Sequence, residues 1–585
     1  MSRPLRRLGP LLLACALLAA PVARAARVSV SVDGVDDALK QAVLAGVEVQ
    51  QYAARDVTEA QLRRLYESAP AQARRALEPY GYYNARVDGE LRRTEGGWQV
   101  VLHVAPGEPV EVAALEIALE GPAARLREVR QAIRRFEPKV GQPLDQARYE
   151  KSKSAIGAAL TETGFLDARL TVHRIEISRA TNRATIRLAW EPGRRYRFGA
   201  TDFQGAPFRR GFLDRYLPWK PGDYFALSQL LELQRRLTDA DYLAFVDVEP
   251  DLEHAVDGVV PIKVGVAPAK RTVYTAGIFV GTDTGPGIRG GIQRRWINDR
   301  GHKFGVDTLI AQRLKTAAVT YGIPYPGPND RRFNFGANFR DEDTATSRSR
   351  TFGLVANETR QWHGFIRTVG LHLLTGDFTV GSGPDAERGN TTLLYPEFGL
   401  SKKVGDDPLF VRRGWSFGVA ARAASRGALS QANFAQVTAD AKWIRAFKGR
   451  NRLILRGSAG ATWTDDFGKL PPELRFFAGG DRSIRGYGYQ TIGPKNDAGL
   501  VIGGKNLAVA SAEVEHYFTR NWGMAAFVDA GDAFTSTADF RLKTGVGLGV
   551  RWRSPVGMVR VDLGTPVRDR QRRGVELHIV IGPDL

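Results

Sequence analysis

Residues Trp522–Gly531 read WGMAAFVDAG. Trp522, Met524, Ala526, Val528 and Ala530 form an apolar series at every second position, and Asp529 falls on the other face. Period two is that of a β-strand, whose successive side chains point to opposite faces. The pattern recurs in VRVDL (Val559–Leu563) and in GVELHIVI (Gly574–Ile581), where Val575, Leu577, Ile579 and Ile581 share a face. In SAEVEHYF (Ser511–Phe518), Glu513 and Glu515 oppose Ala512, Val514 and Phe518.

From about Arg271 onward glycine and aromatic residues become frequent, and no helix-length apolar face occurs. Segments of roughly ten residues, bounded by Gly, Asp, Asn or Pro, fit a transmembrane β-barrel. Sixteen can be placed: the first begins near Thr272, the eighth near Thr391, and the last five near Asn506, Asn521, Lys543, Gly557 and Gly574. In a bilayer every backbone polar group must be paired, which demands a closed sheet. A soluble sandwich or propeller is the competing all-β reading. Long strands, frequent aromatics, an even count and a secretory leader favour the barrel.

That leader occupies residues 1–25. Arg3, Arg6 and Arg7 precede an apolar run, Leu11–Ala20, and Ala23-Arg24-Ala25 has the form of a cleavage site that leaves Ala26 first. Cys15, the single cysteine, reads as part of the apolar run and not as a lipoprotein site. Disulfide and thiol chemistry are therefore not expected after cleavage. The formal charge is +20, and removing the four leader arginines leaves 20 − 4 = +16. The basic residues are dispersed and accompany no nucleic-acid module, which points to a solvated surface or to anionic lipid headgroups and not to nucleic acid. No apolar run after residue 25 is long enough for a transmembrane helix.

The first half repeats. LEPYGYYNARVD from Leu77, LTETGFLDARLT from Leu160 and LTDADYLAFVDV from Leu237 align, each preceded by a helix-like stretch and followed by alternating strands. Pro106-Gly107, Pro192-Gly193 and Pro268-Ala269 mark boundaries. The reading is three β-α-α-β-β units at 26–107, 108–193 and 194–268, before a barrel at 269–585. Such units expose strand edges that can accept a partner's strand.

Between the eleventh and twelfth segments lies a long loop, 465–505, containing GGDRSIRGYGYQTIGP (Gly479–Pro494). Its aromatics argue against disorder and its glycines permit close backbone approach. We expect it to fold into the lumen, with Arg485 paired to the inward carboxylates Asp529 and Glu513. On a simple pair, reversing both charges, Arg485 and Asp529 together, should restore what either reversal removes.

Ile484-Arg485-Gly486-Tyr487 resembles the loop-six motif of the outer-membrane insertase superfamily that includes BamA, TamA and the two-partner secretion transporters. GGKNLAVASAEVE (Gly503–Glu515) and FVDAG (Phe527–Gly531) resemble its strand-twelve and strand-thirteen motifs, and GVELHIVIGPDL resembles the TamA branch. Arg572–Ile579 also fits the insertion signal of outer-membrane strands, although the sequence ends on Gly582-Pro583-Asp584-Leu585 and not on an aromatic residue. The resemblance implies three POTRA domains in the periplasm and a sixteen-stranded barrel in the outer membrane of a Gram-negative bacterium. It further implies a factor that promotes insertion or secretion of autotransporters and other outer-membrane barrels, without ATP and without a cofactor. Its partners would be those clients, outer-membrane lipid and a TamB-like protein anchored in the inner membrane. The working part would be a weak seam between the first and last strands, at Gly277, Gly281, Gly574, Leu577 and Ile579. Gly285, Gly287, Gly290 and Gly291 suit a first hairpin that pairs weakly, or else relieve crowding. A dedicated two-partner transporter and a passive pore are the rivals. No enzyme or metal centre is expected: the eight histidines show no metal-pair spacing, and GVGLG (Gly545–Gly549) reads as strand and not as a nucleotide loop.

Overall fold

A computed structural model describes residues 27–582 except 54, 56, 96, 326–330, 382–383, 408–409, 428, 556 and 568–573. The expected leader with Cys15, part of the expected insertion signal and the last three residues lie outside the described residues.

The chain divides into two compact units, and both take part of the third repeat. The first repeat has the strand Arg27–Asp33 parallel to Gly97–Ala105, which pairs antiparallel with Arg86–Thr94. Its long helix, Glu59–Leu77, begins where the Thr58 hydroxyl accepts from the Gln61 amide. Leu62, Leu65, Ala69, Ala73 and Leu77 recur at helical spacing and are buried against the sheet. The second repeat uses the same scheme, with Asp145 capping the helix Gln146–Glu162 and Ile156, Leu160 and Phe165 in its core. The third differs from the expected unit. Where a first helix belongs it has only a short 3₁₀ turn, Leu213–Tyr216, and its one α-helix is Leu227–Asp239. In each sheet the last strand in sequence lies in the middle, leaving the other two as edges.

The other unit contains one sixteen-stranded sheet in which consecutive strands pair antiparallel. The first strand is Thr272–Gly281, the twelfth Asn506–Tyr517, the thirteenth Trp522–Phe534, the fourteenth Lys543–Ser554, the fifteenth Gly557–Val567 and the sixteenth Glu576–Gly582. The largest displacement from expectation is the eighth strand, which starts at Glu387 and not near Thr391. Alternation sets the facing. In strand thirteen Trp522, Met524 and Val528 point outward and exposed, while Phe527 and Asp529 are buried inside. The exposed apolar side chains of the strands thus form an outer belt suited to lipid.

Strands one and two pair without interruption from Thr272↔Arg294 to Gly281↔Gly285. Of the two roles open to the glycines of this hairpin, relief of crowding has a geometric basis at two positions: a Cβ on Gly287 would stand 2.5 Å from the Phe279 ring, and one on Gly291 2.6 Å from the Thr275 hydroxyl.

The third repeat is bolted to the turn between strands two and three. The Tyr242 hydroxyl donates to the Gly301 carbonyl at 2.6 Å, Lys303 Nζ donates to the Ala240 carbonyl at 2.8 Å, and Arg295 pairs with Asp241 at 3.0 Å. Phe208 stacks on Phe212 at this joint, Tyr242 meets both rings edge-to-face, and Trp296 meets Phe208 the same way. Gly301 has φ +71°, and a Cβ there would overlap the Phe212 ring at 2.1 Å. Gly301→Ala should therefore open the joint and expose the Gly205–Gly211 turn to limited proteolysis, whereas Tyr242→Phe, losing one hydrogen bond, should cost only about 1 kcal/mol in urea unfolding.

Candidate functional site in the barrel lumen

The loop between strands eleven and twelve is folded. Phe476 pairs with Gly504, and Ala478 exchanges two backbone hydrogen bonds with Ile492, each 2.9 Å, so the segment doubles back as a tight hairpin. Ala478, Ile484, Tyr487, Ile492 and Ala533 form a small buried core that fixes its tip. Gly486 has φ +92°, and its missing Cβ would lie 2.8 Å from the Thr565 backbone; a Cβ on Gly545 would lie 1.8 Å from the Arg485 carbonyl oxygen. Backbone thus rests directly on the wall of strands fourteen and fifteen, which a side chain at either glycine would prevent.

This approach delivers Arg485, only 3% exposed, to a set of carboxylates. Its Nε and Nη2 donate to the two oxygens of Asp529 at 2.7 and 3.0 Å, and its own amide donates to Asp529 Oδ2 at 3.1 Å. Nη1 donates to Glu513 Oε2 at 2.7 Å and to Asp562 Oδ2 at 2.9 Å. The guanidinium lies 3.4 Å above the Phe527 ring centre. The bidentate fork explains why arginine, and not lysine, stands here.

Sequence reasoning missed the neighbours that complete this set. Arg551 bridges Glu513, Glu515 and Asp562, and Arg452 donates to Glu515 at 2.7 Å. Arg456 approaches Asp529 at 3.5 Å. Arg485, Arg551, Arg452 and Arg456 therefore face Asp529, Glu513, Asp562 and Glu515, with Arg560 in electrostatic reach of Arg456 and Glu515. Asp562 was within reach of the alternation in VRVDL, which puts it opposite Val559, Val561 and Leu563.

A second arginine of the loop, Arg475, is also buried and donates to the Leu470 and Ile502 carbonyls and to Glu387. Glu473 accepts from Ser349 and Thr351, and the Tyr489 hydroxyl donates to Glu342. The loop is thereby tied to strands on both sides of the lumen.

The proposed seam residues fall as follows. Gly277 and Gly281 lie in strand one, Leu577 and Ile579 in strand sixteen, and Gly574 just before it, where its carbonyl accepts from Thr565. Among the described residues no ladder joins strand one to strand sixteen. They meet where the Ile579 amide donates to the Thr282 hydroxyl at 3.1 Å. Continued antiparallel from that point, Val280 falls opposite Ile581, and Gly277 lies well along the strand from Leu577. Close by, Asp283, Asp481 and His578 bring one ligand-type atom each within 4.8 Å of one another. Both imidazole nitrogens are already engaged, however. The Gly486 amide can only donate, and takes Nε2 at 2.9 Å; Nδ1 then donates to Asp481 Oδ1 at 2.7 Å.

The shared carboxylates predict the opposite of the expected rescue. In the double reversal, an aspartate at position 485 would face Glu513 and Asp562, and an arginine at 529 would face Arg456. Arg485→Asp with Asp529→Arg should therefore be as damaged as either single change, read from heat-modifiable mobility of the folded barrel. Arg485→Met, which leaves three buried carboxylates short of a partner, should cost about 3–5 kcal/mol in urea unfolding of the barrel.

Comparison with known proteins agrees with this architecture. A family profile described as POTRA domain TamA domain 1 matches residues 29–106, and one for the Omp85 superfamily domain matches residues 297–583. The outer membrane protein assembly factor BamA of Nitratidesulfovibrio vulgaris (strain Hildenborough) is 38% identical over 126 residues, which are 20% of this chain and 16% of that relative's length. The crystal structure of BamA from Haemophilus ducreyi lacking POTRA domains 1–3 has a TM-score of 0.67 at 18% identity, over 81% of this chain and 99% of that one, a likeness of fold. CdiB from Acinetobacter baumannii is more distant, with a TM-score of 0.43 and 14% identity over 80% of this chain and 88% of its own. The chain thus belongs to the Omp85 superfamily as a TamA-like member, resident in the outer membrane of a Gram-negative bacterium with its POTRA domains in the periplasm.

Proposed function

We propose that this protein promotes the insertion or secretion of autotransporters and other outer-membrane β-barrel proteins, acting as a fold catalyst that uses neither ATP nor a cofactor and performs no covalent chemistry. One observation carries the reading: strand one presents an edge that strand sixteen does not cover with a ladder among the described residues. Unpaired backbone is costly in lipid. A client strand that adds to this edge pairs its own amides and carbonyls as it enters the bilayer, which lowers its barrier to insertion. The Arg485 cluster supports such a role because it keeps strands twelve, thirteen and fifteen in register with the loop while the seam parts.

The POTRA repeats supply further strand edges, Arg27–Asp33 and Arg86–Thr94 in the first. A TamB-like partner anchored in the inner membrane would dock there by strand addition, and the dispersed basic surface would meet anionic lipid. The two-partner transporter and the passive pore remain the rivals, and the seam separates the pore from the rest. Ile278, 88% exposed on strand one, is the place for a probe. Ile278→Cys should form an adduct with an arrested, cysteine-bearing barrel client in native membranes. Closing the seam with a Val280→Cys/Ile581→Cys disulfide should abolish both adduct and assembly. Full activity with the seam locked and no adduct would establish the passive pore instead.

A further inference from the structure

The end of the barrel remote from the Tyr242 joint carries a second polar cluster, in which loop six reaches across the seam. Asp481 Oδ1 accepts from the Thr282 hydroxyl at 2.6 Å and from His578 Nδ1 at 2.7 Å. Thr282 belongs to the turn after strand one and His578 to strand sixteen, so one carboxylate oxygen holds both sides. Thr282 closes the triangle by accepting from the Ile579 amide. The adjacent Gly486 amide fixes the imidazole so that Nδ1 is the donor toward Asp481. Arg485 needs none of these groups: its partners are Asp529, Glu513 and Asp562.

We propose that Asp481 is a positioning residue that latches the seam shut, and that the latch is proton-linked through Asp283. This rests on the seam opening proposed above and gives it a control point. The Asp481 amide donates to the Asp283 carboxylate at 3.1 Å, which brings the two acids together in the turn outside strand one. Burial and the Asp481 carboxylate push Asp283 up to about 7. His578 from strand sixteen and Tyr489 from the loop lie beside it, and Arg482, Arg475 and Glu473 of the loop and Arg340, Glu342 and Asp440 of the wall line the cavity next to it, Glu342 accepting from Tyr489. Arg313 reaches the Thr282 carbonyl. Asp283, Arg482 and Tyr489 line this lumenal cavity of about 440 Å³, large enough to hold water beside the carboxylate.

The direction follows from linkage. Asp283 binds its proton more tightly in the latched state than when released to water, where its value returns toward 3.8. Latching is fully favoured below that lower value and is lost as pH rises through about 7. Ionised, Asp283 faces the Asp481 charge without a shared proton, and the seam loosens. Between pH 6 and pH 8 the ratio of latched to open molecules should fall about tenfold.

The test uses the full chain in lipid bilayers with spin labels at Val280→Cys and Ile581→Cys, and reads the distance distribution by double electron–electron resonance at pH 6 and pH 8. The parent should gain a long-distance population at pH 8. Asp283→Asn should stay short at both values, and Asp481→Ala should be long at both. Asp481→Glu should restore a pH-dependent short distance, which separates a latch from general damage, and heat-modifiable mobility should show every variant folded. A pH-insensitive parent, or an Asp481→Ala protein that stays short while an arrested client still opens the seam, overturns the latch alone. A seam that no client opens in any variant overturns the assembly reading beneath it.

Discussion

The buried guanidinium of Arg485 is the constraint on which the rest depends. A charge removed from water inside a membrane barrel is tolerated only when opposite charges and hydrogen bonds surround it. Three carboxylates from three strands meet that demand, and two further arginines, Arg551 and Arg456, balance the excess negative charge they would leave. The loop cannot leave this position without stranding acids on the wall, nor can a strand slip by one residue, because slippage would turn its carboxylate into lipid. A segment with little regular structure thereby sets the register of the sheet around it.

Much of this was legible because a membrane barrel imposes a strict period on its sequence. Alternation in WGMAAFVDAG and SAEVEHYF gave both strands and facing, so Asp529 and Glu513 could be identified as inward acids near Arg485. Arg551, Arg452 and His578 were out of reach for a different reason. Alternation says that a residue points inward but not which neighbour it meets, and these partners depend on the stagger of strands eleven, twelve, fourteen and sixteen. Asp283 and Asp481 lie in turns, where period carries no information. The glycines of the first hairpin were ambiguous in principle: Gly287 and Gly291 accommodate neighbouring side chains, a need visible only once strands are side by side.

The repeats show the same division. The helix-like stretches ahead of the three aligned repeats placed the helices Glu59–Leu77, Gln146–Glu162 and Leu227–Asp239, each of which buries one stripe. The lost first helix of the third repeat left no trace in that pattern. The third repeat packs aromatic rings on the barrel turn at Trp296–Gly301, and Phe212 beside its short 3₁₀ turn serves that joint.

Strand length has a consequence for the membrane itself. The first strand has ten residues and the eighth nineteen. At roughly 3.4 Å per residue and a tilt of about 40°, the first rises roughly 26 Å along the bilayer normal, close to the apolar band of about 25 Å, and the eighth roughly 50 Å. The rim is therefore lopsided: opposite the seam the wall stands clear of the headgroups as a collar, while at strand one it ends level with them. On the assembly role proposed above, a client turn released at that edge would enter the headgroup layer directly, with no protein parapet to cross.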